Sequence, residues 1–283
     1  MKFDVFSELQ YKVYSPTTFI FSIKASRSNS QVIVEESLVT EPYIETEEIL
    51  SADGESSFIR LKAEANTEFT IRYSAKVDID YNIIHQRNLS HAVPVNKLDE
   101  EVMPYLFPSR YCQSDKLQKL ASKEFGMIDT AYGKVAAITD WIFKNVEYNS
   151  GTTNSSTSAF DTLTERVGVC RDFAHLGIAL CRALSIPARY FTGYAYNLNP
   201  PDFHACFEAY IGGEWIFFDP TKLVPVNGLV KIANGRDAAD ASVASIFGNA
   251  ACTSMIVKCD CNDPNFKPIY VSNTEKEKGL SYH

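Results

Sequence analysis

The sequence predicts an α+β protein, with an N-terminal all-β domain ahead of a domain in which buried helices meet an antiparallel sheet. Three observations predict it. Over the first 85 residues, apolar residues recur at every second position, the period of a half-buried strand. After Asp129-Thr130 they recur at helical spacing. Beyond Pro187 the period of two returns and runs into a two-glycine turn at Gly212-Gly213.

The clearest strand carries Phe69, Ile71, Tyr73, Ala75, Val77 and Ile79 on one face. Glu68, Thr70, Arg72, Ser74, Lys76 and Asp78 occupy the other, so one side is solvated. Phe19 to Lys24, Val32 to Val39 and Phe58 to Ala63 have the same character, separated by the polar clusters Ser26 to Ser30 and Ser51 to Ser57. A sandwich or small barrel over residues 1–85 is expected. From 86 to 114 Pro94, Pro104 and Pro108 break any period, while Tyr105, Leu106, Phe107 and Tyr111 are sticky enough to pack. An ordered connector is expected there.

The next domain is expected over 115–271. Asp129-Thr130 supplies N-cap residues for a helix with Val135, Ile138, Trp141, Ile142 and Val146 on one face. A second helix starts at or just after Cys170. Phe173, Leu176, Leu180 and Leu184 form its main stripe, and Ala174, Ile178 and Cys181 fill much of the remainder. A helix apolar over so much of its circumference is buried on most sides, and Pro187 stops it. Strands follow at Ala188 to Tyr196, His204 to Ile211 and Glu214 to Asp219. Ala238 to Phe247 is expected as a short helix, Thr253 to Lys258 as a strand, and 272–283 as a polar tail.

Composition narrows the function classes. Apolar residues make up 45% and charged residues 22%, as in a globular protein with a sizeable core. The net charge of −8, without a long basic run, argues against a nucleic-acid backbone or an anionic membrane surface as the main partner. The first residues lack the apolar stretch of a secretory signal, and no apolar run approaches the roughly 20 residues needed to span a bilayer. A cytoplasmic location is therefore expected. Seven cysteines at irregular positions form no disulfide framework, and most are expected as free, buried, small hydrophobes.

Cys170 is the exception. Cysteine 170, histidine 204 and aspartate 219 supply, in that order, a thiolate nucleophile, its base and the group that orients the base. The hairpin brings the last two together. With Gly212-Gly213 as a two-residue loop, Ile211 faces Glu214 and Cys206 faces Asp219. His204 and Asp219 then become diagonal neighbours on one face, roughly 7–8 Å apart at Cα. An imidazole and a carboxylate bridge that gap. Cys170 belongs at a helix N-terminus, where unpaired N–H groups and the helix dipole favour a thiolate. Arg171 and Asp172 oppose one another beside it. The Cys170 N–H is also a natural oxyanion donor. Taken singly, each residue has a structural explanation; together, one functional explanation covers chain order, hairpin register and helix entry.

At these residues the chain resembles the transglutaminase-like superfamily, and most closely its bacterial branch of cysteine proteases. Thr157-Ser158-Ala159, Arg166 to His175, Ile186 to Tyr190, His204-Ala205, Glu208-Ala209-Tyr210, Trp215 and Phe218 to Thr221 carry the resemblance. Ser109 to Cys112, Gly235 to Ala239 and the N-terminal β region add to it, so it covers nearly the whole chain. It implies a papain-like core, with the cysteine-bearing helix packed on an antiparallel sheet. It also implies a cysteine peptidase or amidase working through a thioester acyl-enzyme. In that chemistry Cys170 is the nucleophile, His204 the base and later the acid, and Asp219 the orienting group. Neither a metal nor a cofactor is implied, and the partner is a peptide or protein substrate. Cys206 departs from the pattern, which often has an aromatic residue two places after the histidine. The second oxyanion donor is open, with Tyr148 and Asn149 upstream.

Three other functions use the same residues. An amine in place of water as acyl acceptor makes the protein a transglutaminase. A fold that keeps the site without turnover makes it a binding module. Cys252, Cys259 and Cys261 would be needed to join His204 or Cys206 around zinc, yet Cys-x-Cys lacks the paired spacing of a strong zinc signature. His175, five residues beyond Cys170, is expected as a satisfied core histidine, and His85 and His91 as connector residues without a partner.

Overall fold

The computed structural model describes residues 1–51, 54–85, 88–270 and 278–282. Its N-terminal part is a sandwich of two four-stranded antiparallel sheets. The first sheet contains β1 (Lys2–Val13), β3 (Gln31–Glu41) and β6 (Glu68–Ile79); the second contains β2 (Thr17–Phe21), β4 (Thr46–Leu50) and β5 (Ser57–Ala63). Alternation drives the assembly. Every second residue of β6, from Phe69 to Ile79, is buried. Tyr11, Phe19, Phe21 and Phe69 from the two sheets interlock with ring centroids 5.1–5.6 Å apart.

A short strand β7 (Asn82–His85) leads into the connector, which contains 3-10 turns at Val95–Lys97 and Met103–Leu106. Side-chain contacts fasten the connector to the C-terminal half of the chain. Tyr105 meets Trp215 edge-on at 5.3 Å, and the Tyr111 N–H donates to Asp237 at 2.8 Å. The buried Arg182 guanidinium donates to the Phe107 carbonyl and the Ser109 hydroxyl, both at 3.0 Å.

The mixed core holds α1 (Ser114–Phe125), α2 (Ala131–Asn145), α3 (Ala159–Glu165) and α4 (Cys170–Ala183). A two-stranded parallel ribbon, β8 (Glu147–Tyr148) with β9 (Val167–Gly168), leads toward α4. The antiparallel sheet runs β12-β11-β10-β13, from β10 (Ala188–Ala195), β11 (Phe203–Ile211), β12 (Glu214–Phe218) and β13 (Leu229–Gly235). Thr130 caps α2, taking the Gly133 N–H at 3.0 Å. Helix α4 is buried from Asp172 through Arg182 and lies against β10 and β11. At Gly177 it approaches so closely that an added Cβ would stand 2.6 Å from the Phe207 ring.

Several expectations are corrected. Helical structure begins at Ser114 rather than after Asp129, because Leu117, Ala121 and Phe125 already bury one face of α1. The short helix expected over Ala238 to Phe247 is a turn followed by strand β14 (Ala244–Phe247), which pairs with β2. The strand expected at Thr253 to Lys258 is longer, β15 (Ala250–Cys261), and pairs with β1. Both lie inside the 115–271 stretch, yet they complete the two N-terminal sheets in the orders β14-β2-β5-β4 and β15-β1-β6-β3. The β domain therefore draws strands from both halves of the chain. Of the tail expected over 272–283, residues 272–277 and 283 lie outside the described residues. Within it, β16 (Lys278–Ser281) pairs with β7, and Leu280, Ser281 and Tyr282 are buried.

Candidate active site

Cys170 is set by a short run of backbone geometry. Arg166 ends α3 in the left-handed region, β9 pairs with β8, and Val169 is extended at the N-cap, so Cys170 is the first residue of α4. The Val169 carbonyl accepts the N–H groups of Asp172 and Phe173 at 2.9 and 3.0 Å. The buried Asp172 carboxylate reaches back to the Val169 N–H at 3.0 Å and pairs with Arg171 at 3.2 Å. Arg171 also donates to the Asn154 carbonyl at 2.5 Å. The two charges flanking Cys170 thus engage one another and the backbone. Cys170 itself is half-buried.

The hairpin supplies the other two residues. Gly212 and Gly213 have φ of 65° and 91°, the left-handed pair that a type I′ turn requires. Ile211 pairs with Glu214 and the register runs unbroken to Phe207 with Phe218, as the sequence predicts. Cys206 and Asp219 lie one step beyond. His204 Nε2 donates to Asp219 Oδ2 at 3.0 Å with both side chains buried. The other carboxylate oxygen, Oδ1, accepts the Thr221 N–H at 2.9 Å and its hydroxyl at 2.7 Å. Hairpin pairing alone sets Thr221 opposite His204 and misses this role. The signal for it is local: an aspartate that accepts from the backbone two residues on, in Asp-Pro-Thr.

With Nε2 committed to Asp219, Nδ1 is the free nitrogen of a buried ring, and the Cys170 thiol is near enough to the imidazole to favour its protonation. Burial opposes charge on His204, but Cys206, Asp219 and Cys170 override it and hold the imidazole well above its ordinary value. The Cys206 thiol is pushed up to about 12 by burial and then by Asp219, so it is neutral near pH 7. Asp219 therefore provides the charge that favours the imidazolium.

Cys206 is fully buried, and donor atoms of His204, Cys206 and Asp219 lie within 4.8 Å of one another. Among the described residues this is the group with metal-ligand chemistry, although two of its members already bond each other. Cys252, Cys259 and Cys261 lie along β15 and are not part of it. His175 is buried between Tyr111 and Tyr190, with ring centroids 5.0 and 5.2 Å away. Its Nε2 accepts the Ala238 N–H at 3.1 Å and its Nδ1 has no partner, so it is only half satisfied. Burial holds it well below its ordinary value, hence neutral. Tyr148 reaches Cys170, and burial followed by the thiol pushes its hydroxyl up to about 12.

A cysteine at a helix start with a histidine–aspartate pair on the adjoining sheet defines the class. The chain belongs to the transglutaminase-like superfamily, whose core matches residues 118–220, and the N-terminal domain of bacterial transglutaminases matches residues 1–101. It is similar over its whole length to the crystal structure of a candidate cysteine protease from Cytophaga hutchinsonii. The two are 65% identical with a TM-score of 0.98, covering 100% of this chain and 98% of the other. An uncharacterized protein of Mycobacterium leprae is 27% identical over 207 residues, 68% of this chain and 72% of its own length. One from Mycobacterium tuberculosis is 36% identical over 115 residues, 35% of this chain and 36% of its own length. None of the helices among the described residues is long and apolar enough to cross a membrane.

Proposed function

We propose that this chain is a cysteine-dependent hydrolase of peptide or amide bonds acting through a thioester acyl-enzyme, in a reducing, cytoplasmic setting. One observation carries the reading: His204 is tied through Nε2 to Asp219 at 3.0 Å, which leaves Nδ1 to serve the Cys170 thiol. In this mechanism Cys170 gives its proton to His204 Nδ1 and its sulfur attacks the substrate carbonyl carbon. The C–S bond forms, and the carbonyl π electrons move onto oxygen. Collapse of the tetrahedral intermediate breaks the C–N bond, and the leaving amine takes the proton from Nδ1. Water then enters and gives a proton to Nδ1 as its oxygen bonds the carbonyl carbon; the C–S bond breaks, the acid leaves, and the Cys170 sulfur takes the proton back from Nδ1. Asp219 keeps the Nε2–H tautomer throughout. Amine in place of water gives the transglutaminase alternative, and steady incorporation of a labelled primary amine into a protein acceptor distinguishes it.

The rate of Cys170 alkylation against pH, in wild type and His204→Ala, tests the activated pair. The expected result is a plateau of reactivity extending below the roughly 8.5 of an ordinary thiol, lost in the variant. A slow thiol with the same ordinary profile in both proteins would show that the two residues do not act together.

A further inference from the structure

The acyl-transfer reading leaves one participant unassigned: a second donor for the oxygen that becomes negative when Cys170 attacks. A tetrahedral oxyanion needs donors already in place, and the Cys170 N–H supplies one. Two upstream residues sit beside it. The β8–β9 ribbon pairs Tyr148 with Gly168, two residues before Cys170, and the Asn149 N–H bonds the Gly168 carbonyl at 3.0 Å. That backbone bond holds Asn149 by its main chain. Tyr148 instead lays its ring against Phe173, one turn along α4, with centroids 5.7 Å apart. The ring is thereby fixed over the first turn of the helix. Its hydroxyl lies in reach of both the Cys170 N–H and the Cys170 side chain. In the resting site the phenol therefore stands beside the place at the helix N-terminus that a substrate carbonyl oxygen must take. With 41% of its surface exposed, the side chain has room to yield.

We infer that Tyr148 is a catalytic residue that donates its hydroxyl hydrogen to the oxyanion of the acyl-transfer intermediate. The arriving carbonyl displaces the phenol from the Cys170 N–H. The O–H then turns to the same oxygen, so that Cys170 N–H and Tyr148 O–H together receive the electron pair pushed from the C=O bond as C–S forms. The role rests on the acyl-transfer reading. It also differs from support of the thiolate, because iodoacetamide consumes the same Cys170 thiolate in forming a thioether, with iodide leaving and no oxyanion.

The test compares wild type, Tyr148→Phe and Cys170→Ala in two reactions. One is the burst of p-nitrophenolate from p-nitrophenyl acetate, which reports acylation. The other is alkylation by iodoacetamide. Tyr148→Phe keeps the ring on Phe173. It is expected to slow the burst about 10²–10³-fold, the usual effect of losing one oxyanion donor, and to change alkylation by no more than a few-fold. Equal losses in both reactions would make Tyr148 a support for the thiolate or the fold and overturn the proposal. So would an undiminished burst. A wild-type burst no larger than that of Cys170→Ala would overturn the acyl-transfer reading itself, and this role with it.

Discussion

Asp219 divides its two oxygens, one toward His204 at 3.0 Å and one toward the N–H and hydroxyl of Thr221. The division holds the carboxylate turned toward the imidazole. The same pair couples protonation to folding. His204 has its folded-state pKa raised well above 6.5, so the folded state keeps a proton that the unfolded chain has lost. The resulting stability is fully present below the unfolded value and is lost as pH rises through the folded value. In Cys170→Ala, where the thiol cannot be the source of that proton, stability should therefore fall between about pH 6.5 and the roughly 8.5 at which thiols of the unfolded chain ionise, with a slope from this group of up to about 1.4 kcal/mol per pH unit. Above that window ionising thiols add their own slope. Asp219→Asn removes the charge that holds the imidazolium while keeping an oxygen for Thr221. Urea midpoints measured across the window should decline in Cys170→Ala and stay much flatter when Asp219→Asn is added to it. Equal slopes in both would show that Asp219 is not what holds the proton.

Helix α4 can deliver Cys170 to His204 only because it lies close to β11, and Gly177 is where the two elements meet. An alanine there would put its Cβ 2.6 Å from the Phe207 ring, a distance that forces the helix or the ring to move. Gly177→Ala gains helix propensity, yet overpacking of this kind typically costs about 1–3 kcal/mol. Thermal unfolding should show a lower Tm for Gly177→Ala, partly recovered by Phe207→Leu in the same chain. A Tm at or above wild type would mean that the interface has slack. This juncture also divides what is legible in the sequence from what is not. The α4 entry, the Gly212-Gly213 turn and the register from Ile211 to Phe207 are local, so chain order and period two suffice to place His204 beside Asp219. Contact between Gly177 and Phe207 spans thirty residues and has no local signature. Helix α3 escapes notice because its seven residues fall short of two full turns, too few to establish an apolar stripe. Its start is set by the Ser158–Asp161 capping pair rather than by an apolar stripe.

Across the whole molecule the pairings most distant in sequence are the least legible. Chain order alone groups strands β14 and β15 with the mixed core that they follow, yet they pair with β2 and β1. A strand's own pattern records which face is buried but not which partner it joins. These returns bind the β domain to the mixed core, and buried hydrogen bonds strengthen the joint. Gln31 exchanges two with the Lys231 backbone, both at 2.8 Å. The Tyr194 hydroxyl donates to the Ile23 carbonyl at 2.6 Å and meets the Ser7 hydroxyl at 2.9 Å. Ser7 and Tyr194 are themselves completely buried. Neither half can unfold without stripping strands or buried polar partners from the other, so unfolding should be a single cooperative event. Tyr194→Phe leaves the Ile23 carbonyl and the Ser7 hydroxyl short of a partner at the joint, at a cost of about 1–3 kcal/mol. In urea, near-UV and far-UV circular dichroism should trace one coincident transition in wild type. The variant should shift that transition as a whole to lower urea. Two separated transitions, with the variant moving only one, would mean that the β domain folds independently and that the joint does not couple it to the site.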